Sequence, residues 1–281
     1  MPSVALDVWQ VFRRQRAAFA GLLALVAIGV ASPSAVVLSR IDPEAISADV
    51  LGRPSLAHAM GTDYLGRDIL GRVLHGVNTS LLVGASVAAI ALVIGLGLGA
   101  IAGYYRGVVD HVVMRIADGL LIVPTFFLVL AVAFVFRGRL AFVVVLLGVT
   151  MWPQIARIVR AEVHALKEEA FVLSARAMGA GDFHVMFREI LPNALPPVIA
   201  MIALLASSGI LAEASLSFLG VGDPNVVSLG QMLTSGLEYM TNAWWVPGFT
   251  GAAIFVLVIL LNLLGDGLNV ALNPRLRKGS S

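Results

Sequence analysis

Residues 81–103 read LLVGASVAAIALVIGLGLGAIAG, a stretch without a single charged side chain. An α-helix needs about 20 apolar residues to cross the hydrocarbon core of a bilayer, and this stretch is long enough. The whole chain has the same character, since 59% of its 281 residues are hydrophobic and 13% are charged, whereas soluble domains carry about 25% charged residues. A soluble core of this length could not bury so much apolar surface, so the sequence predicts an integral membrane protein.

Further apolar stretches of similar length lie on both sides of this one. Together they predict an all-α integral membrane protein with about six transmembrane helices. The first stretch is long and lacks a small-residue cleavage site close behind it, so we expect a retained helix and not a signal peptide. In the second, Gly95, Gly99 and Gly103 repeat every fourth residue, a spacing that lets helix backbones approach closely. The predicted spans are 17–39, 81–103, 116–136, 140–156, 194–211 and 246–264.

The cationic residues are unevenly distributed between the two sets of connections. With the N-terminus in the cytoplasm, 13 of the 19 arginines and lysines lie in cytoplasmic segments and six in external ones. Cytoplasmic loops carry the excess of Arg and Lys, so we predict this orientation, with the C-terminus also in the cytoplasm. Trp244 and Trp245 are assigned to the aromatic belt at the outer interface. We divide the chain into an arm with the first helix and an external segment (1–80), a transmembrane core (81–275) and a tail (276–281).

The long cytoplasmic connection, 157–193, contains a short amphipathic segment. Phe171, Val172, Ala175 and Met178 recur at helical spacing and form one apolar face of a helix that runs from Phe171 to Met178. A short helix outside the membrane, between two sharp turns, is suited to dock into a groove of another protein. An ordinary connecting loop is the alternative interpretation.

Glycine and proline bound this helix. Gly179 is expected to end it, because glycine readily adopts the left-handed conformation at a helix C-terminus. Asp182 can then cap the helix that follows. Pro192, Pro196 and Pro197 predict a break or kink where the fifth span begins, and we expect them to act as a hinge.

The same connection resembles the EAA loop of ABC importer permeases, whose pattern is E-A-A-x-x-x-G followed further on by a hydrophobic residue, Leu and Pro. Residues 173–179 (LSARAMG) correspond to the first part, and residues 190–193 (ILPN) correspond to the second. Leu173 stands where the family has its glutamate. The resemblance therefore implies a contact with the ATPase subunit that depends more on packing than on charge.

Four other stretches resemble signatures of one branch of these permeases, which transports dipeptides, oligopeptides or nickel. In their order along the chain they are similar to the C-type member of its permease pair. Asn269, Val270 and Asn273 depart from the last of these signatures. The stretches are GTDYLGRD at 61–68, YYRGVVDHVVMR at 104–115, ILAEASLSFLG at 210–220 and GDGLNVALNP at 265–274.

The resemblance implies the type I, MetI-like fold of ABC importer permeases, in the bacterial cytoplasmic (inner) membrane. It implies a heterodimer with a second homologous permease, two ATP-binding cassette subunits that hold ATP and Mg, and an external substrate-binding protein; this chain is expected to hold no cofactor. ATP-driven alternating access would transport di- or oligopeptides, with nickel, haem or another small solute left open. The residues expected to couple to the ATPase subunits are Phe171, Val172, Leu173, Ser174, Ala175, Arg176, Met178, Gly179 and Asp182.

Charged residues elsewhere supply two more candidate sites. Asp63, Arg67 and Asp68 suggest a charge-paired external lid or partner contact, with a plain Asp-rich turn as the alternative. Glu213 and Ser217 are assigned to the walls of the translocation path, because ionisable groups at membrane depth are expensive and often functional. A structural hydrogen-bonding role is the alternative for Glu213.

Missing residue types argue against several function classes. The chain has no cysteine, which excludes disulfides, thiolate metal sites and a cysteine nucleophile. Neither Lys167 nor Lys278 follows a glycine, so there is no Walker A loop, and we expect no enzyme activity. The net charge of +2 gives no reason to expect nucleic acid.

An ion-coupled secondary transporter needs ionisable groups near the midplane, and a membrane hydrolase needs a nucleophile and base at depth. The second, fourth and sixth spans offer almost no such groups, and all five histidines lie outside the spans.

Overall fold

The computed structural model describes residues 2–39, 42–135 and 139–272, so the predicted tail 276–281 lies outside the described residues. Within these ranges the protein is helical, with no β-strand beyond one isolated bridge between Thr62 and Asp68. A π-helical turn, Val185–Ile190, joins the eighth helix to the ninth. The helices are α1 (Pro2–Arg14), α2 (Arg16–Ser39), α3 (Ile69–Tyr105), α4 (Gly107–Ile122), α5 (Thr125–Val135), α6 (Leu140–Leu166), α7 (Ala170–Ala177), α8 (Asp182–His184), α9 (Leu191–Phe218), α10 (Leu229–Glu238) and α11 (Trp245–Leu272).

The prediction of about six spans is confirmed, with one span different in form. Five helical segments are long and apolar enough to cross a bilayer, namely α2, α3, α6, the continuous segment Asp182–Phe218 and α11. The sixth consists of α4 and α5, which meet at an angle of 79°. Val123 between them is extended, because the proline ring of Pro124 disfavours helical backbone at the residue before it. The predicted span 116–136 is therefore two bent helices, and its last residue lies outside the described ones.

The close approach expected from the glycine repeat of α3 is confirmed. A Cβ atom on Gly95 would lie 2.6 Å from the Cβ of Ile155, and one on Gly99 would lie 2.6 Å from the carbonyl oxygen of Ala156. Gly103 faces α6 in the same way one turn further on. The two backbones therefore pack directly against each other, and any larger residue at these positions would push α3 away from α6.

The fifth predicted span begins differently from what the prolines suggested. α9 runs without a break through Pro196 and Pro197, so of the predicted break or kink over residues 191–197 the break is wrong, and the kink stays a prediction. The irregularity is instead the π-helical turn Val185–Ile190, directly before the first turn of α9. Pro192 cannot donate a hydrogen bond to the preceding turn, and a widened turn at this place tolerates the missing donor.

A buried core joins α7 to the membrane-spanning helices. Val159 and Val163 of α6, Val172 of α7 and Ile190 of the π-helical turn all have fully buried side chains that belong to one cluster. Because α7 contributes to the same core as α6 and α9, it cannot move far without carrying those helices with it.

The opposite end of the molecule is covered by the segment 42–68. The indole Nε1 of Trp245 donates a hydrogen bond of 3.2 Å to the carbonyl oxygen of Thr62. Gly61 has φ +78°, and a Cβ there would lie 2.7 Å from that indole nitrogen. Trp245 is buried, while Trp244 is 61% exposed. The ring of Trp245 is enclosed by the folded segment, so of the two tryptophans assigned to the belt only Trp244 exposes its ring.

Candidate functional site

The exposed helix α7 lies within one residue of its predicted position, but its predicted apolar face is divided. Val172 and Ala175 are buried in the protein's own core, so they are not free to dock elsewhere. Phe171, Leu173 and Met178 are exposed, the last at 82%. The surface that remains for a partner is therefore built from these three side chains and not from the face that the spacing suggested.

Glycine ends α7 as expected. Gly179 has φ +88°, and its N–H donates to the carbonyl of Arg176 over 2.9 Å. The N–H of Ala180 donates to the carbonyl of Ala175 over 3.1 Å, which completes a Schellman motif. The helix therefore ends in a defined turn, and this turn sets the direction of the chain towards α8.

Asp182 does not cap the next helix, contrary to expectation. The residue before α8 is Gly181, and no side chain caps this helix. The carboxylate of Asp182 accepts a hydrogen bond from the Tyr104 hydroxyl instead. Sequence reasoning missed Tyr104 as a partner because the two residues are 78 positions apart.

Cationic side chains surround this contact. Arg176 Nη2 lies 3.1 Å from the Tyr104 hydroxyl, and Lys167 donates to the Tyr104 carbonyl. Burial, together with the charges of Arg176 and Arg106, lowers the pKa of Lys167. Arg106 in turn pairs with Glu168 at 2.7 Å. The connections at both ends of α7 thus meet the end of α3.

At the other end of the molecule, only part of the predicted charge cluster is brought together. Arg67 Nε lies 2.7 Å from Asp63, and its Nη1 lies 2.7 Å from Glu44. Glu44 also pairs with Arg72 at 2.5 Å. Burial raises the pKa of Glu44, but the hydrogen bonds from Arg67 and the charge of Arg72 outweigh it and lower this pKa overall. Glu44 and Arg72 were not predicted, because no sequence spacing links them to the Gly61–Asp68 motif.

Asp68 does not join the arginine cluster. Its Oδ1 accepts the N–H of Gly71 over 2.8 Å and thereby caps α3, while its Oδ2 lies 2.8 Å from His58 Nδ1. Within the predicted trio, Asp63 and Arg67 form an ion pair and Asp68 is a helix cap.

Glu213 is buried inside α9, with only 2% of its surface exposed. Its Oε1 accepts hydrogen bonds from Ser217 at 2.6 Å and from Ser228 at 2.9 Å. Ser228 also accepts the N–H of Gly230 and so caps α10. Glu213 therefore links α9 to the start of α10, an arrangement that supports the structural alternative at this residue.

An open cavity of about 460 Å³ separates α10 from the arginine cluster. Ser217 and Arg67, which were predicted for different sites, both line it. Asp63, Asp68 and Glu213 do not line it, although Asp63 pairs with Arg67 and Glu213 accepts a hydrogen bond from Ser217. One polar face of α10 forms the opposite side, and it consists of Gln231, Thr234, Ser235 and Glu238.

The protein combines spanning helices with a short exposed helix at one end and a polar cavity at the other, and its family assigns it to the class of membrane transport subunits. The chain belongs to the family of binding-protein-dependent transport system inner membrane components, whose pattern matches residues 95–278. Among the described residues, no group of histidine and acidic side chains could hold a metal ion.

Similar proteins cover nearly the whole chain. A putative peptide transport system permease of Brucella suis is 37% identical over 94% of this chain and 90% of its own length. The glutathione transport system permease GsiD of Pectobacterium atrosepticum is 38% identical over 96% and 91%. The dipeptide transport system permease DppC of Haemophilus influenzae is 34% identical over 97% and 95%.

A solved structure shares the fold. A chain of the MetNI methionine ABC transporter, in an inward-facing conformation, superposes with a TM-score of 0.58. The match covers 73% of this chain and 98% of that one, at 22% identity. The predicted type I, MetI-like permease fold is thereby confirmed.

Proposed function

We propose that this chain is the peptide-transporting permease subunit of an ATP-driven importer, paired with a second homologous permease. The observation that carries the proposal is that peptide and glutathione permeases match the chain over nearly its whole length. Two ATP-binding cassette subunits would hold ATP and Mg, and an external binding protein would deliver substrate. The N- and C-termini would both lie in the cytoplasm, with membrane lipid around the spans.

In this proposal α7 is the contact with the ATPase subunit. Its exposed residues Phe171, Leu173 and Met178 offer an apolar surface without a carboxylate, so the contact depends on packing. Ser174, Arg176 and Gly179 flank this surface, whereas Val172 and Ala175 anchor α7 to the core. Closure of the ATPase subunits would therefore displace the membrane helices together with α7.

We still propose that the prolines at the start of α9 act as a hinge, but within a continuous helix and not at a break. Pro192, Pro196 and Pro197 lack backbone donors, so this part of α9 has fewer internal hydrogen bonds than an ordinary helix. The π-helical turn before them adds a second weak point. We expect α9 to bend over this region when the transporter changes conformation.

The polar cavity is proposed as the external entrance of the translocation path. Its volume suits a short peptide, since small-molecule sites measure roughly 300–1,000 Å³. Arg67 and Ser217 would line the entrance, and Asp63 and Asp68 would hold the lid segment in shape. Glu213 would order the wall through Ser217 and Ser228.

Reconstitution tests this function. The chain, co-expressed with its genomic neighbours and placed in proteoliposomes, is expected to take up labelled di- or oligopeptides only when ATP and the binding protein are present. Uptake of nickel or haem in place of peptides would overturn the substrate assignment. Peptide uptake driven by an ion gradient without ATP would overturn the importer assignment.

A further inference from the structure

Tyr104 is the residue at which α3 meets the connections of α7. It lies next to the last residue of α3 and is 2% exposed, whereas its neighbour Tyr105 is 56% exposed. Its hydroxyl donates to the Asp182 carboxylate and lies 3.1 Å from Arg176 Nη2. Its carbonyl accepts from Lys167. One side chain and its own carbonyl thus engage three charged groups.

These three partners bracket α7 along the chain. Lys167 precedes the first residue of α7, Arg176 is in its last turn, and Asp182 begins α8. The ring of Tyr104 adds a third kind of contact, because Lys167 Nζ lies 4.6 Å and Arg176 Cζ lies 5.6 Å from its centroid. Cations over an aromatic face are attracted by the ring quadrupole. Both ends of α7 are therefore held against the same tyrosine.

The helix that carries Tyr104 reaches the other end of the molecule. α3 has 37 residues and is about 55 Å long at 1.5 Å per residue. Arg72 lies in the first turns of the same helix and lines the external cavity. A rigid α3 would thus connect α7 with the entrance of the translocation path.

We infer that Tyr104 is a positioning residue that clamps α7 to α3, so that movement of α7 is transmitted to the far end of the molecule. The inference rests on the proposed function, in which α7 contacts the ATPase subunit. The hydroxyl holds α7 in place by joining Arg176, in the last turn of α7, to Asp182, the first residue of α8. Without it, α7 stays packed through Val172 but loses its fixed angle to α3.

The test removes one oxygen atom. Tyr104→Phe keeps the ring and the carbonyl contact with Lys167 but deletes both hydroxyl hydrogen bonds. Tyr105→Phe is the matched control, since Tyr105 is exposed and its hydroxyl makes no hydrogen bond to any residue that the structure describes. The readout is peptide transported per ATP hydrolysed by the assembled transporter in proteoliposomes, with subunit assembly measured in parallel.

We expect Tyr104→Phe to assemble, to keep hydrolysing ATP and to transport about tenfold less peptide per ATP than the wild type, because both hydroxyl hydrogen bonds to charged groups are lost. Tyr105→Phe should match the wild type. Equal ratios for the two variants would overturn the inference while leaving the proposed function intact. A wild-type complex that transports no peptide would overturn both.

A second pair of variants covers the case in which Tyr104→Phe does not assemble. Asp182→Asn still offers an oxygen to the hydroxyl and should keep most of the coupling ratio, whereas Asp182→Ala should lower it as Tyr104→Phe does. Asp182 is exposed, so neither change leaves a cavity in the core. A wild-type ratio in Asp182→Ala would contradict the clamp.

Discussion

The carboxylate of Asp110 on α4 accepts hydrogen bonds from both Nε and Nη2 of Arg160 on α6, the second over 2.5 Å. This bidentate pair holds α4 beside α6 just after the turn at Arg106, a residue with φ +56°. A non-glycine residue with positive φ is strained and persists where its surroundings hold it. The pair therefore fixes the path of the chain from α3 into the bent α4–α5 span.

Replacing Arg160 with Lys should lower the free energy of unfolding by about 1 kcal/mol, because an ammonium cannot form the bidentate pair. Thermal unfolding of the detergent-solubilised protein measures this. Arg157→Lys is the matched control, since Arg157 makes a single contact of 2.6 Å with Asp118 and both side chains are about half exposed. Exposed pairs contribute little, so an equal loss in both variants would contradict the special role of the Asp110 pair.

Replacing Gly179 with Val should reduce peptide transport and ATP hydrolysis together while membrane insertion stays normal. The change strains the left-handed turn by about 1 kcal/mol or more and misdirects the end of α7. No atom lies within 4 Å of a Cβ built at Gly179 or at Gly181, but Gly181 has φ −73°. Gly181→Val should therefore be close to wild type. A defect of the same size in Gly181→Val would mean that the added valine side chain, and not backbone strain at Gly179, causes the loss of transport.

A cysteine at Met178 should cross-link to the ATPase subunit in the assembled transporter. The natural chain contains no cysteine, so every reactive thiol is the introduced one. Ala175→Cys is the control, because Ala175 is buried inside the protein and should capture nothing. If Met178→Cys reacts fully with a water-soluble maleimide in the assembled complex, α7 is not the contact.

Acidification should loosen the segment 42–68. The pKa of Glu44 is lowered in the folded protein, so its contribution to stability is present above its ordinary value of 4.5 and is lost as the pH falls through the lower, folded value. Hydrogen exchange of residues 44–72 between about pH 6 and about pH 3 should show this opening. Glu44→Gln should remove this pH dependence, and an unchanged profile in that variant would assign the transition to another carboxylate.

Local patterns predicted several features of the site because they depend on neighbouring residues alone. The helix from Phe171 to Met178 and its termination at Gly179 follow from apolar spacing and from the conformational freedom of glycine. The partners of α7 could not be predicted this way. Tyr104 and Asp182 are far apart in sequence, and their contact depends on how the connection after α7 folds back onto the end of α3.

The division of the apolar residues of α7 illustrates the same limit. Periodicity identifies which side chains share a face, but it does not say what covers that face. The chain's own core takes Val172 and Ala175, which leaves a different set of residues exposed. The charge cluster shows a similar limit, since Asp68 caps α3 and the unpredicted Glu44 pairs with Arg67 and Arg72.

The sequence by itself determined that the protein is helical, that it spans a membrane about six times and which family it resembles. Those properties follow from long uncharged stretches, glycine spacing and short ordered motifs, all of which are local. Only the tertiary structure decided that Trp245 is enclosed, that Arg67 and Ser217 share one cavity and that Tyr104 meets Asp182. These depend on contacts between distant segments, whose geometry is set by the packing of whole helices against one another.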